Sequence, residues 1–168
     1  MIVRKILLLG EMGVGKTSIA RRLVFGKFGD SYKATIGVDI YTYDVAPPPQ
    51  GIAFKFLVWD TDGSYGESVF RQYYARQAQA AMIVADITRP STIDTMLRLG
   101  NLFADVAPGR FFGHVLNKTD LLEDDAADDI RAKVAATKIP LFETSAKTGS
   151  NIADAFGKAA VSIIRLEA

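Results

Sequence analysis

The 168-residue sequence predicts a single α/β domain, a mostly parallel six-stranded sheet with one antiparallel edge strand and helices on both faces. Three observations predict it. Short, nearly continuous apolar runs alternate with segments of helical periodicity, as in parallel strands covered on both faces. One hairpin interrupts that alternation, and a glycine-rich loop lies directly between the first apolar run and the first helical segment.

KILLLG (5–10) is the first strand, and residues 16–25 the first helix. VDIYTYDVA and IAFKFLVWD have period-two character with β-branched and aromatic side chains. APPPQG (46–51) turns the chain between them, because proline lacks a ladder donor and glycine tolerates positive φ. AAMIVAD, FFGHVLN and IPLFET are the remaining strands, so the four runs and the hairpin make six. Residues 91–106 carry Ile93, Met96, Leu97 and Phe103 on one side, with Ser91 and Asp94 as a capping arrangement after Pro90. EDDAADD opens a helix over 124–136, its acids facing water at the positive end of the macrodipole rather than a metal. Ile152, Phe156, Ala159 and Ile163 form the core stripe of a last helix over 151–165.

With 49% hydrophobic and 23% charged residues, the composition is globular. A net charge of +1 supplies no broad attraction to nucleic acid or anionic membrane. The chain has no cysteine, which excludes disulfides, thiolate metal sites, cysteine catalysis and any cysteine-linked lipid anchor in this chain. Ile2 after Met1 excludes N-myristoylation. The expectation is a cytoplasmic monomer. His114, in FFGHVLN, faces no motif and reads as structural.

GEMGVGKT (10–17) matches G-x-x-x-x-G-K-[ST] between strand and helix, the P-loop pattern. Glycines let successive backbone N–H groups turn inward on phosphate oxygens, and the helix N-terminus adds its positive dipole end. Gly13, Val14, Gly15, Lys16, Thr17 and Ser18 are the cradle; Lys16 reaches the β and γ phosphates and Thr17 offers a hydroxyl to Mg²⁺. The motif alone says only nucleoside triphosphate. Base choice points to NKTD (117–120), where the Asp120 carboxylate can accept from the N1–H and exocyclic amine of guanine, a donor pair adenine lacks. Lys118 lays its stem under the base, and SAK (145–147) offers the Ala146 N–H to the guanine carbonyl.

These segments, with TIGVD (35–39), WDTDG (59–63) and TSAKTG (144–149), stand in an order and spacing that resemble the Ras-superfamily small GTPases, closest to the Rab branch, over essentially the whole chain. The resemblance implies a GTP/GDP-binding switch of the P-loop NTPase fold that uses Mg²⁺. It implies Thr35 as the threonine joining Mg²⁺ and the γ-phosphate, Phe28 against the guanine, Asp60 holding Mg²⁺ through water, and the Gly63 N–H on the γ-phosphate. Asn117, Ser145 and Lys147 belong to the same base-binding segments. It further implies an effector, an exchange factor and a GTPase-activating protein, with Ile40, Trp59 and Tyr73 or Tyr74 near the effector surface. For Trp59, core packing is an equal reading.

The chain departs from that pattern in three places. Ser64 occupies the slot of the glutamine that orients the attacking water, and serine is too short to span the same distance. Catalysis is therefore assigned to Lys16, Thr35, Gly63 and Ser64 with an expected slow rate. Met12 is bulky where the family keeps a small residue, and would crowd an incoming arginine finger. Asp62 replaces a usual alanine; disfavouring GTP, binding Mg²⁺, meeting a partner's arginine and simply facing solvent all remain open. The sequence ends at IIRLEA without a cysteine-bearing tail: the protein works untethered, its tail has been trimmed, or a partner carries it. A pseudo-GTPase scaffold is the alternative function, and an ATP-dependent kinase or ATPase sharing only the cradle is a weaker third.

Overall fold

The computed structural model describes residues 1–29, 34–123 and 125–168. Six strands form one sheet: β1 (Ile2–Leu9), β2 (Val38–Asp44), β3 (Phe54–Thr61), β4 (Ala80–Asp86), β5 (Phe111–Asn117) and β6 (Leu141–Glu143). Their order is β2-β3-β1-β4-β5-β6. β2 pairs antiparallel with β3, with Ile40 opposite Trp59, and every other pairing is parallel. The expected sheet, with its antiparallel strand at the edge, is the one observed.

Alternation along β1 divides the core. Ile6 and Leu8 face a cluster completed by Ile19, Phe156, Ala159 and Ile163, from α1 (Lys16–Phe25) and α5 (Ile152–Glu167). Leu7 and Leu9 face the other side, against Ile93, Met96 and Phe103 of α3 (Pro90–Val106) and Val134 of α4 (Asp128–Ala135). A short α2 (Glu67–Val69) continues into a π turn over Phe70–Tyr74. No described helix is long and apolar enough to cross a membrane.

Two helix starts differ from expectation. α3 has no side-chain cap; Pro90 occupies its first turn, where its fixed φ suits the helix and its missing N–H is no loss. The hydroxyl that serves this end is Thr92, which accepts from the Asp86 N–H (3.0 Å) and donates to the Arg89 carbonyl (2.7 Å). α4 begins at Asp128, later than 124, with Asp128 and Asp129 in its first turn. Asp124 lies outside the described residues, and among those described no group of three or more His, Asp or Glu side chains is placed to hold a metal ion. β1 also starts earlier than KILLLG. Arg4 and Lys5 keep their charged heads outside while their backbones pair, with Lys5 Nζ 3.6 Å from the centre of the Trp59 ring. Trp59 is half-buried against the second cluster, so packing accounts for part of its surface.

Candidate nucleotide site

β1 pairs with β3 on one side and β4 on the other, so the chain leaves it in opposite directions and a crevice opens at the carboxyl ends. A cavity of about 460 Å³ occupies that crevice. Its lining includes Gly13, Gly15, Lys16, Thr17, Ser18, Phe28, Thr35, Asn117, Lys118, Asp120, Ala146 and Lys147, which brings most of the expected residues together across the whole chain.

The cradle follows from its glycines. Gly15 has φ +103°, and a Cβ there would lie 2.4 Å from Asn117 Nδ2. Gly63 has φ +80°, and a Cβ there would lie 2.6 Å from the Gly10 carbonyl and 2.8 Å from Lys16 Nζ. Gly63 thus brings backbone against the cradle lysine, although it is not in the cavity wall. Val14 contributes only backbone: its side chain is buried in the core, while its carbonyl accepts from Asn117 Nδ2 at 3.0 Å. Lys16 is buried and donates to the carbonyls of Gly10 (2.8 Å) and Glu11 (2.9 Å). Burial lowers its pKa to about 8 against the opposing pull of Asp60, Asp62 and Glu11. The buried ammonium thus stands at the cavity wall with two carbonyl partners.

Three oxygens meet beside it. Thr17 Oγ1 donates to Asp60 Oδ2 at 2.6 Å and lies 2.6 Å from Thr35 Oγ1. Asp60 is fully buried, and its other oxygen, Oδ1, has no hydrogen-bond partner among the described residues. Burial raises its pKa to about 6, although the Thr17 bond and Lys16 pull the other way. Two hydroxyls and a buried carboxylate with an orphaned oxygen are a hard-oxygen donor set that fits Mg²⁺.

At the other end, Asn117 ties three segments together. It reaches Val14 through Nδ2, and its Oδ1 accepts from Thr144 Oγ1 (3.0 Å) and the Ala146 N–H (3.3 Å). That N–H, expected to face a guanine carbonyl, here makes a long bond to Asn117 at the end of β5, while Ala146 still lines the cavity. Ser145 is buried and donates to Asp120 Oδ1 at 2.6 Å, so it orients the carboxylate without reaching the cavity wall. Lys118 spans the site: its Nζ contacts the Gly13 carbonyl (2.7 Å) and Asp86 Oδ2 (2.8 Å). Arg22 of α1 donates to the carbonyls of Ala146 (2.8 Å) and Lys147, which pins the SAK loop.

Sequence reasoning missed Arg21, Lys27, Thr61 and Leu121 in the wall, and the supports Asp86, Arg22 and Arg89. Asp86 had a signal, an acid ending an otherwise apolar strand; Leu121, directly after NKTD, had its position. Arg89 had none, yet its guanidinium reaches the Met12 carbonyl and the Glu11 carboxylate, both at 3.2 Å. Met12 lines the cavity and is 47% exposed. Ser64 is exposed and outside the wall, its hydroxyl without a hydrogen bond among the described residues.

The Ras family model matches residues 5–165, cradle, both phosphate-proximal loops and base segments included. The chain belongs to the Ras family. It is 32% identical to the Ras-related protein RABF2a of Arabidopsis thaliana, over 97% of this chain and 82% of the relative. It is 32% identical to the Ras-related protein Rab5A of Oryza sativa, over 96% and 80%, and 37% identical to Ras-related protein Rab11D of Nicotiana tabacum, over 92% and 70%. Among Ras-family proteins it stands close to the Rab branch, and it is a GTP-binding GTPase of that family.

Proposed function

We propose that this chain, as one G domain over 1–168, is a GTP/GDP switch whose intrinsic hydrolysis is slow and depends on Mg²⁺. The observation that carries the reading is one cavity lined by the cradle, Thr17, Thr35 and Asp120, with the buried Asp60 carboxylate hydrogen-bonded to Thr17. Asp120, oriented by Ser145, accepts from the guanine edge; Lys118, fixed at both ends of its reach, lays its stem along the base, and Phe28 covers the other side. Lys16 exchanges its two carbonyl partners for phosphate oxygens, which relieves the desolvation that lowers its pKa. Mg²⁺ held by Thr17, Thr35 and Asp60 would offset charge between the β and γ phosphates. Thr35 and the Gly63 N–H then follow the γ-phosphate, and the loops that carry them relax when it leaves.

Slowness rests on Ser64. Its hydroxyl makes no hydrogen bond among the described residues, and a serine cannot reach the water that a glutamine in this slot would orient. Ile40 (53% exposed) and Tyr73 (64% exposed), with the half-buried Trp59 opposite Ile40, offer an apolar surface to an effector. Tyr74 is turned inward against Tyr65, which leaves Tyr73 as the better candidate of the two. A cysteine-free, near-neutral chain fits a cytoplasmic monomer served by an exchange factor and a GTPase-activating protein.

The test is single-turnover hydrolysis of pre-loaded GTP with Mg²⁺. The wild type should convert it at about 10⁻⁴ per second or slower, and Ser64→Gln should accelerate it. A wild-type rate above about 1 per second contradicts the slow switch, and GTP never converted by either protein points to the scaffold reading.

A further inference from the structure

Asp62, which stands where the resemblance leads one to expect alanine, joins the two phosphate-proximal loops to each other. Its Oδ1 accepts from the Ser64 N–H at 2.9 Å, in the loop that follows β3. Its Oδ2 accepts from the Gly37 N–H at 3.3 Å, in the loop that carries Thr35. Its own N–H donates to the Gly37 carbonyl at 3.0 Å. An alanine would keep only the last of these. The carboxylate is half-buried, lines the same cavity as Lys16 and contributes negative potential at that ammonium.

In the switch proposed above, the γ-phosphate is what tethers both loops, and its loss frees them. Here a fixed anion bridges the same two loops. We propose that Asp62 is a positioning residue that holds the two loops together without a γ-phosphate, so that the GDP form keeps the loop arrangement described here. The inference rests on the guanine-nucleotide reading. A ligand shifts a two-state equilibrium only by its differential interaction with the two states. When a side chain already holds one state, the γ-phosphate has less to change, and a partner distinguishes the two nucleotide forms less sharply. Ser64, suspended from Asp62 by its N–H, is positioned by the same bond.

The experiment compares wild type, Asp62→Ala and Asp62→Asn, each loaded with GDP or with a non-hydrolysable GTP analogue. Amide exchange is read at Gly37 and Ser64. Trp59, the single tryptophan, reports the loops by fluorescence from the strand that leads into them. With GDP, both amides in the wild type should exchange about tenfold or more slowly than in Asp62→Ala, and Asp62→Asn, with one carbonyl acceptor left, should restore protection at one of them. Replacing GDP by the analogue should change Trp59 emission less in the wild type than in Asp62→Ala. Equal exchange in wild type and Asp62→Ala with GDP overturns the inference while leaving the switch intact. If the chain retains neither nucleotide, the switch reading falls, and the same amide comparison on nucleotide-free protein still decides whether Asp62 joins the loops.

Discussion

Asp60 and Asp120 are both carboxylates at strand ends, yet their surroundings give them different chemistry. Asp60 is fully buried and half-satisfied, its Oδ1 without a partner among the described residues and open to a cation or its water. Asp120 is exposed at the cavity rim, and Ser145 fixes one of its oxygens. Asp120→Ala should therefore spare folding but lower GDP affinity by about 10²-fold or more and erase the preference for guanine over adenine. Competition of GDP and ADP against a fluorescent guanine nucleotide measures both; retained preference in the variant would move base selection elsewhere. At this scale the motifs were legible because backbone curvature, a lysine and a carboxylate each impose a residue type at a fixed spacing. Arg89 and Arg22 were not, because a long side chain that satisfies carbonyls can come from any nearby element. Asp62 was visible as an oddity, but its partner Gly37 is distant in sequence and emerges only when β2 pairs with β3.

Among the elements, β5 and α3 show how a helix and strand can enclose a polar ring. His114 is 2% exposed, neither ring nitrogen has a partner among the described residues, and a Cβ at Gly100 of α3 would lie 2.9 Å from Nε2. Burial lowers its pKa to about 4. The folded protein then binds fewer protons than the unfolded chain between about pH 4 and 6.5. The stability held by the neutral ring is complete above that window and is lost as pH falls through it, with a slope of at most about 1.4 kcal/mol per pH unit. His114 is the single histidine, so its ring proton resonance is unambiguous. It should not titrate between pH 8 and 5; a midpoint near 6.5 would place the ring in water. Strands and core stripes were legible from apolar runs and periodicity. The start of α3 was not, since Ser91 and Asp94 look like caps while Pro90 and Thr92 do the work. β1 was read short because Arg4 interrupts its apolar run while its backbone still pairs with β3.

For the whole molecule, the sheet order decides where chemistry can occur. β1 at the switch point, β3 beside it and β5 beyond β4 all end toward one crevice, so segments separated by more than a hundred residues meet there. Alternation of apolar runs and helices foretold the parallel sheet whose carboxyl ends open onto this crevice. It could not foretell the cross-ties that shape it, Lys118 to Gly13 and Asn117 to Val14, because these depend on how closely β5 approaches the cradle. Those ties link the base end to the phosphate end, so the site should bind a guanine nucleotide as one unit. The decisive measurement is the affinity of the purified chain, with Mg²⁺, for GDP and ADP side by side. GDP should bind in the micromolar range or tighter and ADP at least about 10²-fold more weakly. Equal affinities, or preference for ADP, would contradict a guanine-nucleotide switch.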